Sequence, residues 1–270
     1  MFTKALVLLC LCSCAYKAFS QPITWIQGAR TAALANADAA LQDPWNTVGN
    51  PAGIAACTSP TLSFGMERRF LVKGLDTKAA TAVLPFRKHV FGLNINFFGS
   101  PLYNEHLISV SYGRALSEKF RAGFRINYHG LKIAESPLHQ AWSVTAGIQV
   151  SPVPRLTLGA AVSNPNGAAF SGQLYAKIPV IIELGGAFAF SDKVLGTLEL
   201  KRVSGFPFAV HTGFEYVLHS TIAIRAGIAT SPFRQYGGLG LRCKSLSLNL
   251  SASSHLQLGF TPQISLSYVF

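Results

Sequence analysis

Isolated charged side chains recur on one face of the extended segments of this sequence, where they alternate with apolar residues. Eight of them are candidate functional residues: Glu67, Arg121, Arg125, Glu183, Glu199, Glu215, Arg225 and Arg242. Such groups can line a polar path for a solute, or they can pair with each other in an interior that excludes water. Pairing is the favoured interpretation for most of them, because a buried charge without a partner is costly.

No catalytic motif accompanies these charges. The sequence lacks a Gly-x-Ser-x-Gly elbow, a Cys-x-x-Cys pair, a His-Glu-x-x-His helix and a phosphate-binding glycine loop. The seven histidines are scattered without metal-ligand spacing. We therefore predict neither an enzyme nor a cofactor, and the spacing of the histidines predicts no metal site.

The composition is unusual for a soluble domain. Only 13% of the 270 residues are charged, whereas about a quarter is typical. Lys and Arg outnumber Asp and Glu by 12, but they are scattered singly, so nucleic acid is not predicted as a partner. After residue 20 no uninterrupted apolar run reaches the roughly 18 residues of a membrane-spanning helix.

Residues 1–20 have the pattern of a secretory signal peptide. Lys4 supplies the positive start, an apolar core follows, and Ala18-Phe19-Ser20 is a small-x-small cleavage site. Cleavage there leaves two cysteines, Cys57 and Cys243, which is too few for a disulfide framework. Whether these two pair stays open.

Apolar and polar residues alternate almost without a break from Thr61 to the end of the chain, which indicates β-strands with one apolar face. The other face carries mainly Gly, Ser, Thr and Asn, not the many charges of a soluble sandwich. The segments are about ten residues long, the length of a tilted strand that crosses a membrane. The approximate ranges are 61–70, 77–87, 89–99, 105–116, 119–132, 140–151, 154–164, 177–190, 193–203, 207–218, 220–230, 234–243, 245–255 and 260–270.

The joints between these segments alternate in length. Tight joints such as 87–89 and 116–118 alternate with longer stretches such as 71–76, 164–176 and 231–233. Short periplasmic turns and longer outer loops alternate in this way in outer-membrane barrels. We therefore predict an all-β fold, a membrane-spanning antiparallel up-and-down barrel of about 14 strands over residues 58–270.

A segment rich in small residues, GARTAALANADAALQDPWNTVGNPAG, precedes the first strand. Its alanines recur near helical spacing, which predicts a short helix able to pack closely against a wall. Asp43-Pro44 is predicted to end this helix, and Asn50-Pro51 with Gly53 to form a turn. We interpret residues 21–57 as an N-terminal helical plug inside the barrel.

This interpretation predicts charge pairs between plug and barrel. Arg30 needs an acidic partner, for which the sequence offers Glu183, Glu199 and Glu215. Asp38 or Asp43 should likewise meet an inward arginine, for which the candidates are Arg121, Arg125, Arg225 and Arg242.

The order of residues in the plug resembles the PorV/PorQ family, within the FadL-like class of outer-membrane β-barrels. The residues that carry the resemblance are Gly28, Ala29, Arg30, Asp43, Trp45, Asn50, Pro51, Ala52 and Gly53. The resemblance implies a place in the outer membrane of a Gram-negative bacterium. It also implies an association with type IX protein secretion, in which such proteins help to carry or attach secreted proteins at the cell surface.

Two other functions stay open. FadL-like relatives admit hydrophobic molecules past a plug, and a structural barrel would scaffold partners without transport. The short outer loops weaken the case for gripping a folded cargo, while the polar lumen weakens the case for a hydrophobic pocket. The expected partners are outer-membrane lipids and the barrel assembly machinery, with either secretion-system components or a hydrophobic ligand.

The last strand places Leu266, Tyr268 and the terminal Phe270 on one face. Apolar or aromatic residues at alternate positions back from the chain end resemble the C-terminal targeting strand of outer-membrane barrels. We interpret these residues as the signal that the assembly machinery reads.

Deletion of Phe270 tests this interpretation. We expect a smaller folded fraction in outer membranes and unfolded protein in the periplasm, because the assembly signal loses its terminal aromatic residue. Heat-modifiable mobility of membrane and periplasmic fractions measures both quantities. Normal assembly of the truncated chain would contradict the interpretation.

Overall fold

The computed structural model describes residues 25–171 and 176–270. The signal peptide predicted for residues 1–20 lies outside the described residues. Within them, no helix has both the length and the apolar character needed to cross a membrane.

Fourteen antiparallel strands form a closed barrel, in which each strand pairs with its neighbours in sequence and β1 pairs with β14. The strands are β1 (Thr61–Arg68), β2 (Asp76–Phe86), β3 (His89–Gly99), β4 (Tyr103–Ala115), β5 (Phe120–Ile133), β6 (His139–Val150), β7 (Leu156–Ser163), β8 (Ile181–Ser191), β9 (Val194–Val203), β10 (Ala209–His219), β11 (Ile222–Thr230), β12 (Phe233–Cys243), β13 (Leu246–His255) and β14 (Gly259–Val269). The predicted fold class is confirmed, and every predicted strand is present within four residues of its expected bounds.

The two faces of the wall differ in the way the alternation predicts. In β3 the large apolar residues Phe91, Leu93 and Phe97 are about half exposed, whereas the intervening Asn94 and Asn96 are fully buried. Apolar residues therefore point outwards and polar residues inwards, the reverse of a soluble domain and the arrangement of a membrane barrel.

The closing pair of strands brings the two ends of the barrel sequence together. Thr61 lies opposite Val269, and the backbone N–H of Phe270 donates to the Pro60 carbonyl at 2.9 Å. Tyr268 and Phe270 stack edge to face on the outside, with ring centroids 4.8 Å apart, and Leu266 is also exposed on that face. We call this end of the barrel the terminal end and the other the far end.

The joints depart from the predicted alternation in three places. At the far end, β11 and β12 are separated only by Ser231 and Pro232, and turns of three residues join β3 to β4 and β13 to β14. These far-end turns are as tight as those of the terminal end. The longest far-end connection runs from β7 to β8, as expected.

The N-terminal residues 25–57, here called the inner segment, lie inside the barrel and are almost entirely buried. The predicted alanine-rich helix is only five residues long, α1 (Ala29–Ala33). It ends there because Ala35 and Asn36 take left-handed conformations, with φ of 59° and 58°. The expectation that Asp43-Pro44 ends the helix is therefore wrong.

Two short 3₁₀ helices follow α1, and each begins at a polar cap next to a proline. Asp43 accepts a hydrogen bond from the Trp45 N–H and caps the turn Pro44–Thr47. Asn50 accepts one from the Ala52 N–H and caps Pro51–Ala56. Side-chain caps satisfy backbone donors that would otherwise be buried without a partner.

The outward parity of the strands is testable with arginine. Leu250 lies in the middle of β13 and points outwards. We expect Leu250→Arg to make folding into lipid vesicles less favourable by about 2–4 kcal/mol, the cost of a lipid-facing arginine near the bilayer midplane.

Ser247→Arg in the same strand is the matched control. Ser247 points inwards and borders a cavity of about 400 Å³ that can accept the longer side chain. Equal penalties for the two variants, measured by denaturant titration in vesicles, would contradict the assigned parity.

Candidate functional site: the contact between the inner segment and the lumen

Glycines on the inward face let the inner segment approach the wall closely. A Cβ atom at Gly123 would collide with the backbone of Pro51, and one at Gly147 would collide with the Asn50 side-chain oxygen. Any residue other than glycine at either position would push the segment away from strands β5 and β6. The barrel wall is therefore shaped to receive this segment.

Asn50 anchors the segment to that part of the wall. Its amide nitrogen donates to the Ala39 carbonyl at 2.6 Å and to the Ile148 carbonyl of β6 at 3.1 Å. Gln149, also fully buried, donates to the Ala39 and Leu41 carbonyls at 3.0 and 2.8 Å. These bonds satisfy carbonyls of an irregular chain that water does not reach.

Arg125 holds the same region through backbone carbonyls. Its guanidinium donates to the Gly49 carbonyl at 2.6 Å and the Thr47 carbonyl at 3.3 Å, with further bonds to Asn127 and Thr145. The expectation that an inward arginine binds Asp38 or Asp43 is wrong for this residue. Backbone carbonyls and neutral side chains take its donors instead.

Arg30 lies at the centre of an ion-pair network. It donates to Glu215 of β10 through two nitrogens at 2.8 and 2.9 Å, and to Asp43 at 3.3 Å. Glu215 also pairs with Arg225 at 2.5 Å. Of the three acidic partners offered by the sequence, Arg30 thus meets Glu215. Asp43 meets an arginine of its own segment instead of one from the wall, which corrects the expected pairing.

These neighbours affect the protonation of Arg30. Burial opposes its charge, but the nearby Glu215 and Asp43 carboxylates outweigh that effect and raise the pKa of Arg30 above its ordinary value. Arg30 therefore remains positively charged at any physiological pH.

A second group of charges lies around Asp38. Carboxylate oxygens of Asp38, Glu183 and Glu199 all lie within 4.8 Å of one another, and the three residues are 2, 5 and 1% exposed. Lys201 contacts Glu183 at 2.5 Å and Glu199 at 4.0 Å. Burial and the charge of Glu183 raise the pKa of Asp38 well above its ordinary value. Three carboxylates thus face one ammonium group.

The other predicted inward charges have no contact with a carboxylate of the inner segment. Glu67 pairs with Arg69 at 2.8 Å, and Arg121 donates to Ser151 at 3.4 Å. Arg242 borders the cavity of about 400 Å³ and is exposed. The structure therefore brings together Arg30, Glu215 and Arg225 in one place and Glu183 and Glu199 in another, while Glu67, Arg121 and Arg242 stand apart.

The motif residues of the inner segment mostly have structural contacts. Trp45 is 4% exposed and packs with Ile26 and Ala79. Gly28, with φ of 82°, has no room for a side chain beside the Trp45 ring, and Gly53 has none beside Asn46. The Ala29 N–H donates to Ser265 of β14 at 3.1 Å. The motif thus fixes the path of the segment through the lumen.

Cys57 and Cys243 are both free thiols. Cys57 packs against the apolar cluster of Ile54, Val83 and Val90. Burial raises the pKa of the Cys57 thiol to about 12, with a smaller contribution from Asp43. Cys57 is therefore an unreactive packing residue at neutral pH.

Two cavities flank the inner segment at the terminal end of the barrel. One of about 540 Å³ is lined in part by Leu41, Val153 and Ala189. The other, of about 400 Å³, is bordered by more polar groups such as Asn249. Arg30 and Gln42 border both cavities. Both volumes fall in the range of small-molecule sites, about 300–1,000 Å³.

Comparisons with known proteins bear on the fold. No protein-family model matches the chain, and no curated protein matches it. Among solved structures, the chain is similar to the toluene transporter TbuX of Ralstonia pickettii, with a TM-score of 0.67 and 14% identity over 90% of this chain and 98% of that one.

Two further solved structures are similar to this chain over a comparable length. The Pseudomonas putida toluene transporter TodX has a TM-score of 0.69 at 12% identity, over 90% of this chain and 98% of that one. A Pseudomonas aeruginosa FadL homologue has a TM-score of 0.63 at 13% identity, over 93% and 99%. The chain therefore has the FadL-like fold, a closed barrel of 14 antiparallel strands.

Proposed function

We propose that this protein is a plugged channel that admits small hydrophobic molecules across the outer membrane of a Gram-negative bacterium. The observation that carries the proposal is the inner segment, which fills the lumen and leaves a partly apolar cavity of about 540 Å³ beside it. In this reading the inner segment is the plug, the terminal end faces the periplasm, and outer-membrane lipids surround the wall.

The comparisons support this substrate class over protein cargo. TbuX and TodX are toluene transporters, and this chain shares their fold. The polar lumen is an objection to an apolar route, since the inward residues of β3 and β5 include Asn94, Asn96, Arg121, Arg125 and Asn127. The 540 Å³ cavity answers it in part, because Ala40, Leu41 and Ala187 add apolar surface to its lining.

Association with type IX protein secretion is the second candidate function. It rests on the resemblance of the plug motif, Gly28 to Gly53, to PorV/PorQ proteins. Most of those motif residues position the segment itself, so the motif serves a plug of either function. Affinity capture from outer membranes of the native host separates the two, since only this second function requires co-purifying secretion-system components.

A direct uptake experiment tests the first function. The protein is expressed in a Gram-negative host that lacks its own hydrophobic-compound channel, and toluene uptake is measured. We expect faster uptake than in the empty host. Equal uptake, with folded protein present in the outer membrane, would reject the proposed substrate class.

A variant links that uptake to the cavity. Ala189 points inwards from β8 and borders the 540 Å³ cavity. Ala189→Trp should reduce toluene uptake several-fold by filling the cavity, and Ala189→Ser should leave it unchanged.

Arg30→Ala tests whether the plug closes the pore. The substitution removes two hydrogen bonds to Glu215 and one to Asp43. Glu215 still pairs with Arg225 in this variant. We therefore expect the folded protein to lose about 1.5–3 kcal/mol of stability, the contribution of hydrogen bonds to charged groups, and the plug to be held less tightly. Conductance in planar bilayers should rise above that of the unmodified protein.

Arg121→Ala is the matched control, because Arg121 is also an inward arginine but hydrogen-bonds to Ser151 of the wall. Its conductance should stay low. A second test deletes residues 21–57. Unchanged conductance after this deletion would show that the segment does not close the lumen.

A further inference from the structure

The carboxylate group around Asp38 is formed by residues from two parts of the protein, the inner segment and the barrel wall. Asp38 belongs to the inner segment, Glu183 to β8 and Glu199 to β9. The Ala39 N–H donates to one oxygen of Glu199 at 2.8 Å, which fixes the segment against β9 at this point. The three side chains therefore meet where the segment touches the wall.

Several oxygens in this group lack a partner. Both carboxylate oxygens of Asp38 and one of Glu199 are fully buried and have no hydrogen-bond donor among the described residues. Gly49 is essential to this placement, since a Cβ atom there would overlap the Asp38 carboxylate. A buried carboxylate without a donor or a cation is costly, so a site with three such oxygens calls for a ligand.

The charges within the group do not balance. Three carboxylates stand against the single ammonium of Lys201, which contacts Glu183 at 2.5 Å. Arg125 acts on Asp38 through space, but its donors are used by Gly49, Thr47, Asn127 and Thr145. Among the described residues, the Asp38 oxygens thus pair with no cation, and the unpartnered Glu199 oxygen has only the Lys201 ammonium, at 4.0 Å.

We propose that Asp38, Glu183 and Glu199 bind one calcium ion, which joins the inner segment to strands β8 and β9. Hard divalent cations take oxygen ligands, and calcium accepts carboxylates in flexible geometry at about 2.3–2.6 Å. Oxygens on opposite sides of such an ion lie up to about 5 Å apart, which fits the 4.8 Å spread of the three groups.

Calcium suits this place better than magnesium. Magnesium usually keeps several waters and demands near-ideal octahedral geometry. The three residues are each at least 95% buried where the inner segment meets the wall. Such a site favours an ion that exchanges its waters for protein oxygens. The ion adds a third kind of bond between segment and wall, beside Asn50 and the Arg30 network.

Direct binding to the full chain tests this site. The protein is refolded in detergent without lipopolysaccharide, which itself binds divalent cations, and is stripped with a chelator. Titration with calcium chloride by calorimetry at neutral pH should show one site per chain. Thermal unfolding should move to higher temperature as calcium is added, because binding stabilises the folded state by mass action.

Three variants separate this site from unspecific binding. Asp38→Asn and Glu199→Gln should weaken calcium binding on the order of tenfold or more, since ligand charge sets calcium affinity. Glu135→Gln makes the same chemical change at an exposed far-end turn and should bind calcium like the unmodified protein. Heat-modifiable mobility confirms that each variant is folded.

Two results would overturn the proposal. One is absence of calcium binding by the folded, unmodified protein. The other is equal binding by all four proteins. If thermal stability instead changes with pH and not with calcium, a proton shared by the carboxylates replaces the ion. None of these results bears on toluene uptake, so the proposed function is tested independently of the calcium site.

Discussion

The closed wall of the barrel imposes the constraint on which the rest of the structure depends. A ring of 14 hydrogen-bonded strands has a fixed interior, and the chain that fills it must satisfy its own backbone there without water. A regular helix would satisfy itself, but it would not follow the wall. The inner segment is instead irregular, and side chains of the wall supply the missing partners.

This constraint explains the polar lumen. Gln149 and Arg125 bond to carbonyls of the inner segment, and the His211 ring contacts the Ala35 carbonyl at 2.6 Å. These inward residues are polar because they supply hydrogen-bond donors to segment carbonyls that are not paired within the backbone. A polar interior therefore reflects how the segment is held, and does not by itself argue against the hydrophobic substrates proposed above.

The strands could be predicted from the sequence because their signal is local. Alternation with period two depends only on which face meets lipid, and it gave bounds such as 89–99 that match β3 (His89–Gly99). The same parity limited the possible acidic partners of Arg30 to three inward glutamates, one of which is Glu215. The joint between β11 and β12 was also placed almost correctly, at 231–233, but it was grouped with the longer connections, whereas Ser231 and Pro232 form a tight turn.

The path of the inner segment could not be predicted in the same way. Its alanines favour a helix, yet the chain turns at Ala35 and Asn36 to follow the wall. That turn decides where Asp38 lies, and hence that it meets two glutamates from strands far away in sequence. Parity placed Glu183 and Glu199 in the lumen, but nothing local placed Asp38 beside them.

Both halves of the inner segment are packed on glycines of the wall, which limits how the segment can move. The Pro51 backbone lies against a glycine of β5, and the Ala39 backbone lies against Gly159 of β7. Backbone packed on glycine cannot move without leaving a void. Arg30 and Gln42, by contrast, border both cavities, and Arg30 is held there by polar contacts. Polar contacts next to open volume can exchange partners with little loss of packing, so a local movement around Arg30 costs less than expulsion of the whole segment.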